Sequence, residues 1–213
     1  MKHTTPAAED YLKTIYAHTE WQPNPITPSA LAARLGVAPS SVTEMVKKLA
    51  AAGQITHVPY GPLTLTDAGS LRATAVVRRH RLIETWLVQE MGYDWDEVHD
   101  EAEILEHSIS DRLLAAIDAR LGSPTHDPHG DAIPAVDGSV ASVRGVVLAT
   151  APLGHTGSIV RISDRDPAVL RLLAGHEVGI DSPIERVDGG IRVGPGLTVR
   201  LTAEALASIW VTA

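Results

Sequence analysis

The first hydrophobic pattern along the chain is helical. Apolar and aromatic side chains recur at helical spacing and predict a helix over residues 6–19, namely Tyr11, Leu12, Ile15 and Tyr16. A segment with two prolines at 21–25 then interrupts the pattern, because proline cannot continue a helix. A separate helical element is therefore expected on each side of this break.

Two short helices are predicted after the break. Thr27 is placed as the N-cap of the first, which opens at Pro28 and ends at Gly36. The second opens at Pro39 and runs to about residue 52, where Gly53 ends it. Its inward face is predicted to consist of Val42, Met45, Val46 and Leu49.

The rest of the chain changes from helical to β character. Short strands are predicted at 54–59 and 62–66, joined at Tyr60-Gly61-Pro62, and long helices at 66–91 and 95–120. Residues 122–143 are rich in proline and glycine and predict a linker. Residues 144–213 alternate as strands around a short helix at 167–174, which indicates a small barrel-like β domain.

Composition narrows the class of protein. Of 213 residues, 44% are hydrophobic and 21% charged, as in soluble globular proteins, and no apolar run is long enough to span a membrane. The N-terminus has no apolar segment typical of a secretory signal, so a cytoplasmic location is expected. The chain has no cysteine, which excludes disulfides and thiolate metal sites and leaves histidine and carboxylates as ligands.

The charge is unevenly placed. The net charge is −8, but residues 1–81 hold 9 Lys/Arg against 5 Asp/Glu, so the excess of negative charge lies after residue 81. A basic head on an acidic body can bind a polyanion through the head. Ordinary scatter in composition would give the same difference, so charge alone does not decide.

Two short helices followed by a two-stranded hairpin have the order of a winged helix-turn-helix. In that module the second helix enters the major groove, and its first residues meet base edges and phosphates. The candidates for DNA contact are Thr27, Pro39, Ser40, Ser41, Thr43, Glu44, Lys47 and Lys48. Glu44 can accept a hydrogen bond from cytosine N4, while the lysines suit phosphates. A protein-interaction module with the same helices is the alternative.

Histidine and glutamate recur on the two long predicted helices. His99, Glu103, Glu106 and His107 are spaced to share one stripe of the helix at 95–120, and His80 and Glu84 are one turn apart on the preceding helix. Imidazole and carboxylate together suit first-row divalent metals. A solvated acidic face with incidental histidines is the alternative.

Together these motifs resemble the diphtheria toxin repressor family, and within it the manganese transport regulators. The segments that carry the resemblance are Glu9–Tyr16, Val37–Leu49, Arg79–Leu82, Val98–His107 and Asp127–Pro134. The resemblance covers residues 6–135 closely, and the remainder loosely matches the family's SH3-like (FeoA-like) domain. It implies a mainly α protein: a winged helix-turn-helix at 1–72, a helical dimerisation and metal-binding domain at 73–121, the linker at 122–143 and an SH3-like β domain at 144–213.

The resemblance also implies two metal sites. The primary site would use Asp10, Glu103, Glu106 and His107, and the ancillary site His80, Glu84 and His99, with Asp164, or next Asp166, completing it from the β domain. Both aspartates can equally be loop residues exposed to solvent. The iron-responsive branch has Met and Cys where this chain has Asp10 and Glu103, and harder carboxylate ligands favour Mn²⁺, with Fe²⁺ or Co²⁺ possible. Lys13 stands where two-domain manganese regulators have a carboxylate, which favours two separated sites.

The sequence therefore predicts a manganese-dependent repressor that binds double-stranded operator DNA as a homodimer and controls manganese homeostasis. No enzymatic activity, organic substrate or membrane partner is expected. An iron-responsive repressor of the same build is the alternative, and a metalloenzyme using the Glu/His cluster is a remoter one. Because histidine must lose its proton to ligate, metal-dependent DNA binding is expected to fall between about pH 7 and pH 5.

Overall fold

The structure is a computed structural model of the chain, and it describes residues 5–22, 24–58 and 61–213. The chain divides into two compact units, residues 1–79 with 134–140 and residues 80–133 with 141–213. Tyr60, in the predicted turn of the hairpin, and one proline of the predicted break lie outside the described residues. The described residues form eight α-helices and eight strands.

The first unit contains the predicted helix-turn-helix and hairpin. Its elements are α1 (Pro6–Trp21), α2 (Pro28–Leu35), α3 (Pro39–Ala51), β1 (Ile55–His57), β2 (Leu63–Leu65) and the start of α4 (Asp67–Met91). The strands pair antiparallel, with Ile55 opposite Leu65, and are shorter than predicted. One apolar core joins the helices to the hairpin and includes Leu12, Ile15, Leu31, Val46 and Leu63.

Local sequence explains where α2 begins and ends. The Thr27 side chain accepts a hydrogen bond from the amide of Ala30, as an N-cap does, and Pro28 occupies the first turn. Gly36 ends α2 with φ of 64°, a left-handed conformation that glycine adopts without steric cost. Both ends of α2 lie where the sequence predicts them, so α3 begins at Pro39 with a defined direction.

The second unit combines helices with an antiparallel sheet. After the end of α4 come α5 (Val98–Leu105), α6 (Asp111–Arg120), β3 (Val146–Val147), a short 3-10 helix (Leu148–Thr150), β4 (Thr156–Ile162), α7 (Pro167–Ala174), β5 (Pro183–Val187), β6 (Gly190–Val193), β7 (Leu197–Arg200), α8 (Ala203–Ala207) and β8 (Ile209–Val211). The sheet order is β3-β8-β4-β5-β6-β7. The buried residues of its core are all aliphatic.

The prediction of a single helix over 95–120 is wrong. The chain leaves the helix after Leu105, and Ser110 begins α6 as an N-cap whose side chain accepts from the amide of Leu113. Glu106 is the C-cap of α5, and His107 lies in the turn after it. The proposed single stripe from His99 to His107 therefore does not exist as a helical face. Glu103 remains one turn from His99, whereas Glu106 and His107 are positioned by the turn.

The segment predicted as a linker is largely buried over residues 127–134. Arg81 of α4 donates to the Ala132 carbonyl and to Asp131, at 2.6 Å and 3.3 Å. Asp131 also forms a buried ion pair with Arg161 of β4. These contacts pack the segment into the second unit, against α4 on one side and the sheet on the other.

Candidate metal centre and nucleic-acid interface

Four side chains of the second unit converge on one point. His80, Glu84, His99 and Asp164 each offer a ligand atom, and these atoms all lie within 4.8 Å of one another. His80 Nε2 is 3.0 Å from Glu84 Oε1 and 3.2 Å from His99 Nδ1. Asp164 Oδ2 is 2.9 Å from the same His99 nitrogen. Two imidazoles and two carboxylates thus meet in one small volume, which we call the four-ligand cluster.

Three elements position the four-ligand cluster. His80 and Glu84 are one turn apart on α4, so their side chains point the same way. His99 lies in the first turns of α5, and Asp164 in the loop between β4 and α7. Asp166, the second candidate in that loop, instead caps α7 by accepting from the amide of Ala168. Of the two aspartates, the structure brings Asp164 alone to the histidines.

The charges in the four-ligand cluster are strongly coupled. Burial disfavours the charged form of His99, but hydrogen bonds and charge pairing with Asp164 and Glu84 raise its pKa to about 11. Burial likewise opposes ionisation of Asp164, yet the bond from His99 lowers its pKa to about 2. The pKa of Glu84 also falls well below its ordinary value, because the nearby His80 outweighs burial. The site is therefore built to hold positive charge.

The geometry of the cluster fits a divalent metal ion. Neighbouring ligands of an ion bound at about 2.0–2.2 Å lie roughly 3 to 3.5 Å apart. Four of the separations between the converging atoms lie between 2.9 and 3.6 Å, and all are within 4.8 Å. Nitrogen and carboxylate oxygen are ligands that first-row divalent ions accept. Without an ion, the lone pairs of His80 Nε2 and His99 Nδ1 would face each other and the carboxylate oxygens. A proton on one of these nitrogens is then needed to make the contacts hydrogen bonds.

A second layer of contacts orients the histidines. His80 uses its other nitrogen, Nδ1, to donate to Glu106 Oε2 at 2.6 Å, and both side chains are buried. A ligating histidine commonly has such a carboxylate behind it, which fixes the ring and its tautomer. Glu106 was predicted as a ligand of the other metal site, so one imidazole connects residues assigned to both sites.

The remaining predicted ligands are Glu103, His107 and Asp10. Glu103 lies on α5, with Oε1 3.7 Å from His99 Nε2, and a ligand atom of Glu103 lies within 4.8 Å of one on His80 and one on Glu106. His107 follows α5, with Nε2 3.5 Å from Glu106 Oε1. Asp10 lies on α1 in the first unit, and its part in a metal site remains a prediction.

Sequence reasoning missed two buried residues beside the four-ligand cluster, Asp127 and His129. A ligand atom of each lies within 4.8 Å of one on Glu84, and all three residues are buried. Burial, with the charge of Glu84, raises the pKa of Asp127 to about 7. The signal was present, because an Asp-Pro-His-Gly sequence carries part of the resemblance. Its glycine and prolines, however, favoured interpretation as a linker.

In the first unit, the predicted DNA contacts of α3 lie on its exposed face. Pro39, Ser40, Ser41, Thr43, Glu44, Lys47 and Lys48 are all exposed, while Val42, Val46 and Leu49 are buried as predicted. The N-cap position of α3 is Ala38, which forms no side-chain capping bond. Pro39 has no amide hydrogen, and the amides of Ser41 and Val42 donate to the Ala38 carbonyl, so this helix end offers few amides to a phosphate.

Some of these side chains are partly engaged within the protein. Lys47 pairs with Glu44 at 3.2 Å, but both side chains are about two-thirds exposed, and such pairs are weak. The Thr43 hydroxyl donates to the Pro39 carbonyl, which leaves its oxygen as an acceptor. The Thr27 side chain caps α2, so its role inside the protein is structural. No helix among the described residues is long and apolar enough to cross a membrane.

Two family models match most of the first 135 residues. The model of the iron dependent repressor N-terminal DNA binding domain matches residues 3–63, and that of the iron dependent repressor metal binding and dimerisation domain matches residues 66–135. These ranges contain α3 and every residue of the four-ligand cluster except Asp164.

Individual relatives extend the similarity over nearly the whole chain. The diphtheria toxin repressor of Corynebacterium diphtheriae is 31% identical over 91% of this chain and 84% of its own length. The iron-dependent repressor IdeR of Mycobacterium tuberculosis is 30% identical over 95% of this chain and 87% of its own. A solved manganese-dependent transcriptional repressor in complex with manganese is 45% identical, covers 97% of this chain and 99% of its own, and has a TM-score of 0.91. The structure of the manganese regulator SloR is 29% identical, with 98% and 99% coverage and a TM-score of 0.80. The chain therefore belongs to the diphtheria toxin repressor family of metal-dependent transcriptional repressors.

Proposed function

We propose that this repressor responds to Mn²⁺ and binds operator DNA as a homodimer in the cytoplasm. The observation that carries the proposal is the convergence of His80, Glu84, His99 and Asp164 on one point without any sulfur ligand. Carboxylate oxygen suits manganese, whereas thiolate and thioether select softer ions. The 45% identity to a manganese-dependent repressor solved with manganese supports the same choice.

We assign two metal sites to each protomer. The four-ligand cluster would hold one ion, with Glu106 orienting His80 from behind. Asp10, Glu103, Glu106 and His107 would hold the second. When bound, the ion in this second site supplies a fixed link between carboxylates that otherwise repel one another. Asp10 belongs to α1, and the other three residues lie on α5 or directly follow it.

Metal binding would regulate the DNA contacts of α3. Ser41 and Glu44 would face base edges, while Lys47 and Lys48 would contact phosphates. The two copies of α3 in a dimer must contact half-sites that are a helical turn or more apart. Metal binding would hold the two DNA-binding domains of the dimer so that both contacts form at once. The coupling is reciprocal, so DNA should tighten metal binding.

The homodimer is supported by exposed apolar side chains on the helices of the second unit. Ile104 of α5 and Leu113 of α6 are 69% and 51% exposed. Both lie within the segment that matches the dimerisation model. The exposure of Leu113 on α6 suits burial by a second copy of the chain. We assign no enzymatic activity, since the cluster is formed by side chains that pair with each other.

The test begins with selection of random duplex DNA by the full-length protein in Mn²⁺. Fluorescence anisotropy on the selected duplex then gives DNA affinity against free Mn²⁺ or Fe²⁺, with oxygen excluded. We expect Mn²⁺ to tighten binding by about 5- to 150-fold. Asp164→Ala should need more Mn²⁺ for the same effect. The matched control Asp166→Ala changes a helix cap two residues away and should behave as wild type.

The outcomes separate the alternatives. A response to Fe²⁺ at lower free concentration than Mn²⁺ would support the iron-responsive repressor instead. DNA binding that ignores both metals would overturn the proposal of metal control. Equal behaviour of the two aspartate variants would remove Asp164 from the site while leaving the assignment as a repressor intact.

A further inference from the structure

Behind the four-ligand cluster lies a second group of metal-ligating side chains. Glu84, Asp127 and His129 are 0%, 8% and 1% exposed. Each offers a ligand atom, and these atoms lie within 4.8 Å of one another. Glu84 belongs to both groups, because its Oε1 faces His80 and His99 at 3.0 Å and 3.6 Å. Its other oxygen, Oε2, is buried and has no hydrogen-bond partner in the described part of the chain.

The tautomer of neutral His129 is fixed by its surroundings. Nε2 lies 2.7 Å from the backbone carbonyl of Trp95, so it must carry the proton and donate it. The ring is also stacked on the Trp95 indole, with centroids 6.0 Å apart. The lone pair of a neutral ring is therefore on Nδ1, which is buried and has no hydrogen-bond partner among the described residues. A backbone carbonyl behind an imidazole is the arrangement found in metal-ligating histidines.

Asp127 is held rigidly at the same place. Its Oδ1 accepts hydrogen bonds from the amides of His129 and Asp131, both at 2.9 Å. Its Oδ2 is 3.6 Å from Arg81 Nε, and Arg81 is shared with Asp131 at 3.3 Å. The charges at the group are thus three carboxylates, of Glu84, Asp127 and Asp131, against the two guanidiniums of Arg81 and Arg161. A buried excess of negative charge with orphaned lone pairs is costly unless a cation or a proton is present.

We propose that Glu84, Asp127 and His129 bind a further divalent cation beside the four-ligand cluster, with Glu84 bridging the two ions through its separate oxygens. The inference rests on the proposed function in sharing Glu84 with that site, but it adds two ligands and one ion that the ancillary site does not include. The chemistry is again nitrogen and carboxylate oxygen, so Mn²⁺ is the expected occupant. The alternative occupant is a proton on His129 Nδ1, paired with Glu84.

The direct test uses the wild-type chain crystallised with Mn²⁺ and anomalous scattering at the manganese edge. Two peaks on opposite sides of the Glu84 carboxylate, one within coordination distance of His129 Nδ1, are the expected result. A peak at the four-ligand cluster with none at His129 would overturn this inference and leave the proposed function standing. Absence of both peaks would overturn both.

A second measurement counts ions in solution. Equilibrium dialysis followed by elemental analysis should give one manganese fewer per protomer for His129→Gln than for wild type. The control His126→Gln alters an exposed histidine of the same segment and should keep the wild-type count. A glutamine amide can still donate to the Trp95 carbonyl, which limits the damage to the fold. An unchanged count in a folded His129→Gln protein would contradict the proposal.

Discussion

Raising the pH should tighten Mn²⁺ binding at the four-ligand cluster far beyond the range expected for an ordinary histidine. In the metal-free protein the pKa of His99 is raised to about 11, so its ring stays protonated throughout pH 6–8. The ring must lose a proton to ligate, and the affinity should therefore rise about tenfold per pH unit, or about 100-fold from pH 6 to pH 8. A ring with the reference pKa near 6.5 would give only about a fourfold rise over this range.

The affinity for Mn²⁺ rises with pH because the pKa of His99 is raised. Protons compete with the metal wherever the pH is below the raised pKa, so competition continues upward toward pH 11 instead of ending near pH 7. The expectation of a fall confined to pH 5–7, based on the reference pKa, should therefore prove too narrow for this site.

Isothermal titration calorimetry of Mn²⁺ provides the assay, in buffers of different ionisation enthalpy and with oxygen excluded. Wild type and Asp166→Ala should release a proton from this site at pH 7.5, whereas Asp164→Ala should bind at least about 10-fold more weakly, because it loses a ligand and a partner of His99. A rise of only about fourfold between pH 6 and 8, or no proton release at pH 7.5, would refute the reasoning.

Four further predictions address the other regions of the chain. Lys47→Ala should lower the slope of log DNA affinity against log salt by about one, and an unchanged slope would mean that Lys47 contacts no phosphate. Asp10→Ala should still bind metal in calorimetry but lose the roughly 5- to 150-fold activation of DNA binding; retained activation would exclude Asp10 as a link. Asp10→Met combined with Glu103→Cys should shift activation in the anisotropy assay from Mn²⁺ toward Fe²⁺ or Co²⁺, and an unchanged preference would mean that these positions do not set selectivity. Ser110→Ala should lower the free energy of unfolding by about 1 kcal/mol in denaturant titrations, because it removes the cap of α6, while Ser108→Ala should have little effect; equal effects would contradict the capping role.

Much of the first unit follows from local signals in the sequence. Thr27 and Pro28 mark the start of α2, and Gly36 marks its end, because capping and a left-handed turn are properties of single residues and their neighbours. The buried face of α3 likewise follows from helical spacing. The same kind of pattern failed between Glu106 and Ser110. That segment contains no glycine or proline, and the serine cap that starts α6 gives only a weak signal inside an otherwise helical pattern.

The sequence likewise predicted some residues of the candidate site and not others. His80 and Glu84 could be paired from their spacing on one helix, and the resemblance pointed to the aspartate that meets His99. The roles of Asp127 and His129 could not be derived, because both depend on partners distant in sequence. His129 is oriented by the Trp95 carbonyl and Asp127 lies beside Arg81, and neither contact leaves a periodic pattern. Local composition favoured a linker, whereas tertiary burial makes the segment part of the core.

The buried ion pair between Asp131 and Arg161 affects which truncations of the chain should be stable. Asp131 lies in the segment that composition predicted as a linker, and Arg161 lies in β4 of the C-terminal sheet. Truncation at residue 143 would leave the Asp131 carboxylate without one of its two guanidinium partners, and separating buried charges from a partner typically costs about 3–5 kcal/mol. Removal of the C-terminal sheet is therefore expected to destabilise the helices that remain. A neutral residue at position 131 should recover part of that loss, because it leaves no carboxylate to be paired.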